Sequence, residues 1–346
     1  MRETQAYQSA APGAPLALVA IQRRDLRPDD VAVRVTHCGV CHTDLHALHA
    51  QDAGAFPVVP GHEFVGEVAA VGSEVTTYAV GDPVAVGNIV DSCGVCPMCE
   101  LGQENFCVEY PTLTYGGRDT IDGTVTSGGY SAEYVVRERF VYRRPAGLDP
   151  AAVAPLMCAG ITVWEPLRRW GVGEGTTVGV VGLGGLGHLA VKLAHALGAK
   201  VTVFTTSPRK ADDARALGAD DVVVSTDEQD MARVAGSLEL VIDTVSAAHD
   251  LGPYLAAVAM DGTLCSVGHL GPVTVETLAL LIGRKRLSSS GSGGRPATQE
   301  LLDFCGEHGI TADVEVLPSR QVATALDRLE RNDVRYRFVL DLADIG

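Results

Sequence analysis

The sequence has no apolar run suited to crossing a bilayer, no excess of positive charge and no internal repeat. The charge-free stretch Gly175 to Val191 is 17 residues long but carries six glycines, too short and too broken for a spanning helix, so no membrane role is expected. Basic residues number 27 against 43 acidic ones. The resulting net charge of −16 repels phosphate backbones and argues against nucleic acid as a partner. The first residues, MRETQAYQSAAPG, mix Arg2 with Glu3 and lack an apolar segment followed by a small-residue cleavage site, so a cytoplasmic location is expected. A chain of 346 residues allows about two domains with large cores. Staples are therefore unnecessary, and in a reducing compartment disulfides are not expected.

What is present is a very uneven set of nine cysteines. Four fall in DSCGVCPMCELGQENFC, where Cys93, Cys96, Cys99 and Cys107 follow C-x2-C-x2-C-x7-C. Short turns rich in Gly and Pro let four sulfurs converge on one tetrahedral ion, and zinc suits four thiolates. An iron–sulfur cluster is the competing reading, but the ferredoxin runs have different final spacings. Four protein ligands leave no open position, so this zinc is expected to be structural, clamping a loop with little apolar material of its own.

Residues 1 to about 148 contain short alternating segments such as VAVRV (31–35) and EFVGEVAAV (63–71), the pattern of small twisted β-sheets. From about 149 to 290, strands alternate with helices at TVGVVG (177–182), KVTVFT (200–205), LELVID (238–243) and GTLCSVG (262–268). That rhythm predicts a doubly wound parallel sheet. The tail adds a helix, ATQELLDFCGEHG, an amphipathic run and a closing strand, RYRFVLDL. Within the middle region, G-L-G-G-L-G stands where a strand ends and a helix begins. Gly182 permits the tight turn, Gly184 lets backbone approach a pyrophosphate and Gly187 allows close helix packing, so a dinucleotide is expected there. About 20 positions on, no acidic side chain awaits the ribose of NAD. Instead Thr205, Thr206 and Ser207 offer hydroxyls and Arg209 and Lys210 offer charge to a 2′-phosphate, which favours NADP(H).

A second set of metal-binding residue types is dispersed: Cys41 in HCGVCHTDLH, His62 in PGHE and Cys158 in LMCAG. Spacing alone does not join them. Taken in order with SGGYSAEY, CAGITVW and the glycine turn, these motifs span essentially the whole chain. The sequence resembles the zinc-dependent medium-chain alcohol dehydrogenases, most closely the cinnamyl alcohol dehydrogenase branch with its NADPH-dependent aldehyde reductases. The resemblance implies a GroES-like, mostly β catalytic domain (1–148 and 291–346) and a Rossmann domain (149–290). It implies a catalytic zinc on Cys41, His62 and Cys158, with Glu63 beside it as a carboxylate able to approach the metal. With the four-cysteine loop, that makes two zinc ions per subunit. Thr43 would bond the substrate oxygen and pass a proton along a relay ending at His46, and His42 would contact the pyrophosphate. Thr162, Gly185, Leu186, Val267, Gly268 and Ser290 complete the implied cofactor contacts. Cys38, Cys265 and Cys305 are left as buried thiols.

The implied reaction is hydride transfer from NADPH to an aldehyde, giving a primary alcohol, reversibly. Two alternatives stand beside it: an imine or iminium reductase on the same scaffold, and a non-catalytic zinc and NADPH binding protein. Gly291 and Trp164 depart from the branch and suggest a reshaped substrate pocket. The edge strand near 284–290 is expected to pair with a second copy in a homodimer.

Overall fold

The computed structural model describes residues 1–269 and 271–345. The chain divides into two compact units, one made of Met1–Cys158 and the segment from Gly293 onward, the other of Ala159–Ser292. The first division falls later than the change of sequence pattern at 148. Residues 150–157 form two short helical turns whose Ala151, Val153, Leu156 and Met157 are buried. These turns pack on the strand Asp30–Val40 and so stay with the first unit.

The first unit is built on a seven-stranded sheet. Its order runs Val314–Pro318, Arg337–Asp341, Asp30–Val40, Phe64–Val71, Pro83–Val86 and Tyr142–Arg143, with Glu133–Arg137 also pairing on Asp30–Val40. All pairings are antiparallel except that of Val314–Pro318 with Arg337–Asp341. Alternating valines at 31, 33 and 35 turn into a core shared with Phe64, Val68, Tyr134, Phe338 and Leu340, while Arg34 faces solvent. Leu340 lies opposite Cys38, which in turn lies opposite Phe64, so the closing strand is locked beside segments some 300 residues earlier in the chain.

The four-cysteine loop has almost no core of its own. Cys96, Cys99 and Cys107 form a small cluster of their own with Cys93 and Met98, and Val95, Leu101, Phe106 and Val108 are exposed. Its buried Glu104 reaches out to the helix Arg295–His308. The carboxylate accepts the Arg295 backbone N–H at 2.9 Å and pairs with the Arg295 guanidinium at 2.9 Å, holding the start of that helix.

The second unit is a six-stranded sheet, parallel throughout, in the order Asp221–Val224, Lys200–Thr205, Thr177–Val181, Leu238–Asp243, Val258–Ser266, Arg286–Ser289. Its central strands carry short buried apolar runs, 178–181 and 240–242, as burial on both faces demands, with Glu239 exposed near the start of its strand. Strand order reverses at Thr177–Val181, which places the crevice for a ligand at that strand's carboxyl end. No single helix among the described residues is long and apolar enough to cross a membrane.

Candidate zinc and cofactor sites

Cys41 immediately precedes the helix His42–Leu48, and the Asp44 carboxylate folds back to accept the Cys41 backbone N–H at 3.0 Å. His62 follows Gly61, whose backbone at φ +98° makes the turn that a side chain would hinder. Cys158 ends the turn Ala154–Met157. The fold brings the three together. Cys41 Sγ lies 3.9 Å from Cys158 Sγ, His62 Nε2 lies 3.3 Å from Cys158 Sγ, and all three donor atoms fall within 4.8 Å of one another. Two thiolates on one tetrahedral zinc at about 2.3 Å stand roughly 3.8 Å apart, so the set fits that ion.

What holds these donors is a buried polar shell that sequence reading did not assign. Asp44, with no exposure, accepts from His62 Nδ1 at 3.2 Å, Gly61 N at 3.1 Å and Tyr130 Oη at 3.1 Å. The proton is thereby kept on Nδ1, leaving Nε2 free to ligate. Burial works against the charged imidazole, yet the Asp44 carboxylate carries the His62 pKa well above its ordinary value. Tyr115 sets its ring beside His62, centroids 5.7 Å apart. Glu63 is not among the three clustered donors. Its Oε1 is bonded to Arg337 of the closing strand and its Oε2 is buried without a hydrogen bond. Burial pushes the Glu63 carboxyl up, opposed by that guanidinium.

Thr43 is exposed, with its hydroxyl 3.7 Å from Cys41 Sγ, and His46 is exposed three positions later on the same helix. His42 is half-buried, which lowers its pKa. In the other metal set, the donors of Cys93, Cys96, Cys99 and Cys107 also lie within 4.8 Å of one another, Cys93 Sγ being 3.9 Å from Cys99 Sγ. That geometry again fits zinc. Cys38, Cys265 and Cys305 are fully buried thiols, and burial raises all three, the last two to about 12.

In the second unit the glycine turn joins Thr177–Val181 to the helix Gly187–Ala196. Gly187 is pressed so closely on Gly182 that an added Cβ would stand 2.1 Å from the Gly182 carbonyl oxygen, whereas beside the exposed Gly184 there is open space. Backbone is thus bared where a pyrophosphate would approach. Gly185 and Leu186, half-buried, complete the turn. After Lys200–Thr205, the buried Thr205 hydroxyl accepts the Ser207 N–H at 3.2 Å, and Thr206 and Arg209 are exposed. Lys210 Nζ donates to the Leu183 carbonyl at 3.2 Å, which sets its charge over the glycine turn. Val267 and Gly268 follow the strand Val258–Ser266, and Thr162 lies on the helix Ala159–Arg169. Ser290 is buried and hydrogen-bonded to Glu165, a partner nothing in the sequence signalled. Trp164 is buried in its unit's interior, and Gly291 has open space around it.

A switch-point crevice with a phosphate-ready turn, carried in one chain with a Cys2His donor set and a closed four-cysteine loop, defines a zinc-dependent dehydrogenase of the two-domain type. Comparison agrees. The alcohol dehydrogenase GroES-like domain matches residues 27–146 and the zinc-binding dehydrogenase domain residues 185–307. Aldehyde reductase YahK of Escherichia coli K12 is 48% identical over 334 residues, covering 94% of this chain and 95% of that one. The structure of the cinnamyl alcohol dehydrogenase SbCAD4 from Sorghum bicolor superposes with a TM-score of 0.95 at 43% identity, covering 100% and 99% of the two chains. That of CAD from Helicobacter pylori, complexed with NADP(H), gives 0.90 at 31%, covering 98% of each. The chain belongs to the zinc-dependent medium-chain alcohol dehydrogenases, in the cinnamyl alcohol dehydrogenase branch.

Proposed function

We propose that this oxidoreductase reduces aldehydes to primary alcohols with NADPH, reversibly, as a cytoplasmic homodimer holding two zinc ions per subunit. The observation that carries the reading is the convergence of Cys41, His62 and Cys158 with only three donors, a set that leaves a tetrahedral ion one position for substrate. When bound there, zinc supplies Lewis-acid polarisation of a carbonyl, and the nicotinamide supplies the hydride.

The chain's own groups do the rest. The Thr43 hydroxyl, beside Cys41 Sγ, holds the substrate oxygen and gives it a proton, which His46 replenishes from solvent. Glu63 keeps one carboxylate oxygen on Arg337 and one free, available to the site while water or substrate exchanges. Arg209 and Lys210 favour a 2′-phosphate, and the Lys210 contact with Leu183 supports that choice. The sheet edge Arg286–Ser289 has unpaired backbone on one side, which supports pairing with a second copy.

The test is a panel of aromatic and aliphatic aldehydes and a cyclic iminium, each assayed with NADPH and NADH. Loss of NADPH absorbance with aldehydes is expected. Reduction of the iminium with no aldehyde turned over, or a large preference for NAD with an alcohol, overturns the reading. Metal analysis is expected to find two zinc ions per chain, and sedimentation a dimer.

A further inference from the structure

Asp243 ends the strand Leu238–Asp243 and is fully buried where the loop that follows it meets Val267 and Gly268, two of the expected cofactor contacts. Its carbonyl accepts the backbone N–H of Val267 at 2.9 Å and of Gly268 at 3.1 Å, and its Oδ1 accepts that of Val245 at 3.1 Å. The two loops are pressed together, since a Cβ on Gly268 would stand 2.4 Å from the Thr244 carbonyl carbon. The Thr244 hydroxyl in turn donates at 2.8 Å to Val181, the residue before the glycine turn. A shift of Asp243 is therefore felt at the turn.

The other carboxylate oxygen, Oδ2, is buried, makes no hydrogen bond and faces His249 Nε2 at 3.5 Å. His249 Nδ1 lies 3.0 Å from the Ala247 carbonyl, an acceptor, so Nδ1 carries a proton there. A neutral His249 then presents the lone pair of Nε2 to a carboxylate, which is repulsive. The contact becomes favourable once one further proton lies between Oδ2 and Nε2. Burial raises the Asp243 carboxyl, the direction that retains this proton.

The charged and titratable surroundings are few. His269, on the facing loop, acts on Asp243, and its own Nε2 is buried without a hydrogen bond. Cys265 on the adjoining strand is raised to about 12 and stays a thiol. Asp250 is exposed and accepts the Gly252 N–H, and Tyr254 meets the His249 ring edge-on. Glu276 shares with His249 the lining of a neighbouring pocket.

We propose that Asp243 and His249 are positioning residues for the cofactor, sharing a single proton that keeps loops 244–249 and 267–268 in the binding arrangement. This rests on the reading that NADP(H) binds at the Gly182–Gly187 turn. The experiment is fluorescence titration of the full chain with NADPH from about pH 6 to about pH 9, for the wild type, Asp243→Asn and His249→Gln, with circular dichroism at each pH. Either amide puts a permanent hydrogen into the gap. The 2′-phosphate titrates alike in all three proteins and cancels in their ratios. Relative to the variants, wild-type affinity is expected to fall about tenfold as pH rises, the equivalent of one pKa unit of coupling. Parallel curves for all three proteins overturn the shared proton. His249→Gln, at a partly exposed residue, keeps the test valid should Asp243→Asn fail to fold. If the wild type binds no NADPH at any pH, the dinucleotide reading itself falls, and the proposal with it.

Discussion

Cys93, Cys96, Cys99 and Cys107 come from one short loop, whereas Cys41 and Cys158 stand 117 positions apart and His62 and Cys158 96. The contiguous set needs no fold to gather its ligands, but it has nothing else to pack around. Its ion would serve as the core of the loop, and the binding free energy there is folding free energy. The dispersed set is gathered by the sheet and held by buried groups, Asp44, Tyr130 and the Glu63–Arg337 pair, that belong to the fold of the first unit. One centre is made by its metal, the other made for it.

Substitutions of single ligands sharpen this contrast most. Cys158→Ser is expected to lower kcat/KM by at least about 10³-fold, the several kcal/mol that metal polarisation supplies. Zinc content should drop by about one ion per chain, with the thermal midpoint nearly unmoved. Cys99→Ser should do the reverse, keeping turnover in the cold but losing more than about 4 kcal/mol of stability. Thermal unfolding and proteolytic nicking between residues 93 and 110 would record it, and equal behaviour of the two variants would break the comparison. Next in size is the buried ion pair. Arg337→Met leaves Glu63 a charge without a partner and should cost about 3–5 kcal/mol in denaturant unfolding, much of it restored when Glu63→Gln is added. Asp44→Asn removes the acceptor that fixes His62, and should weaken zinc at the dispersed site about 10–100-fold in chelator competition without affecting the loop. Smallest is Lys210→Ala, expected to raise the NADPH Kd about tenfold through loss of one charge-assisted bond, with NADH binding weakened less and both metal centres untouched.

Legibility in the sequence followed the range of the interactions. Strands such as 31–35 and 177–181 show as alternating or continuous valines because their burial pattern is local. The four-cysteine spacing is a local signal of the same kind. The dispersed donors carry no spacing, and only the ordered motifs of a family join them. Asp44 reads in sequence as an ordinary acid in the first turn of a helix; one of its four hydrogen bonds, from Cys41 N, is local, but the other three depend on Gly61, His62 and Tyr130 arriving from elsewhere. Arg337 reads in sequence as one polar residue of the closing strand RYRFVLDL. Its partner Glu63 lies 274 positions earlier, and the two meet only because Arg337–Asp341 pairs beside Asp30–Val40. The position of the division at Cys158 is not legible in the sequence, because residues 150–157 look like the opening of a helical region yet pack on the sheet before it.

The interrupted layout of the first unit sets an order of manufacture. All six strands of the cofactor sheet are contained in Ala159–Ser292 and have been synthesised before the closing segment of the first unit, so that sheet can form without waiting for it. The sheet that carries Cys41 and His62 must wait, one side of Asp30–Val40 incompletely paired, for the strand Arg337–Asp341, made some 300 residues later. Until Arg337 is made, Glu63 lacks the guanidinium that meets it in the finished fold, so the buried pair beside Cys41 and His62 is completed only when the closing strand docks.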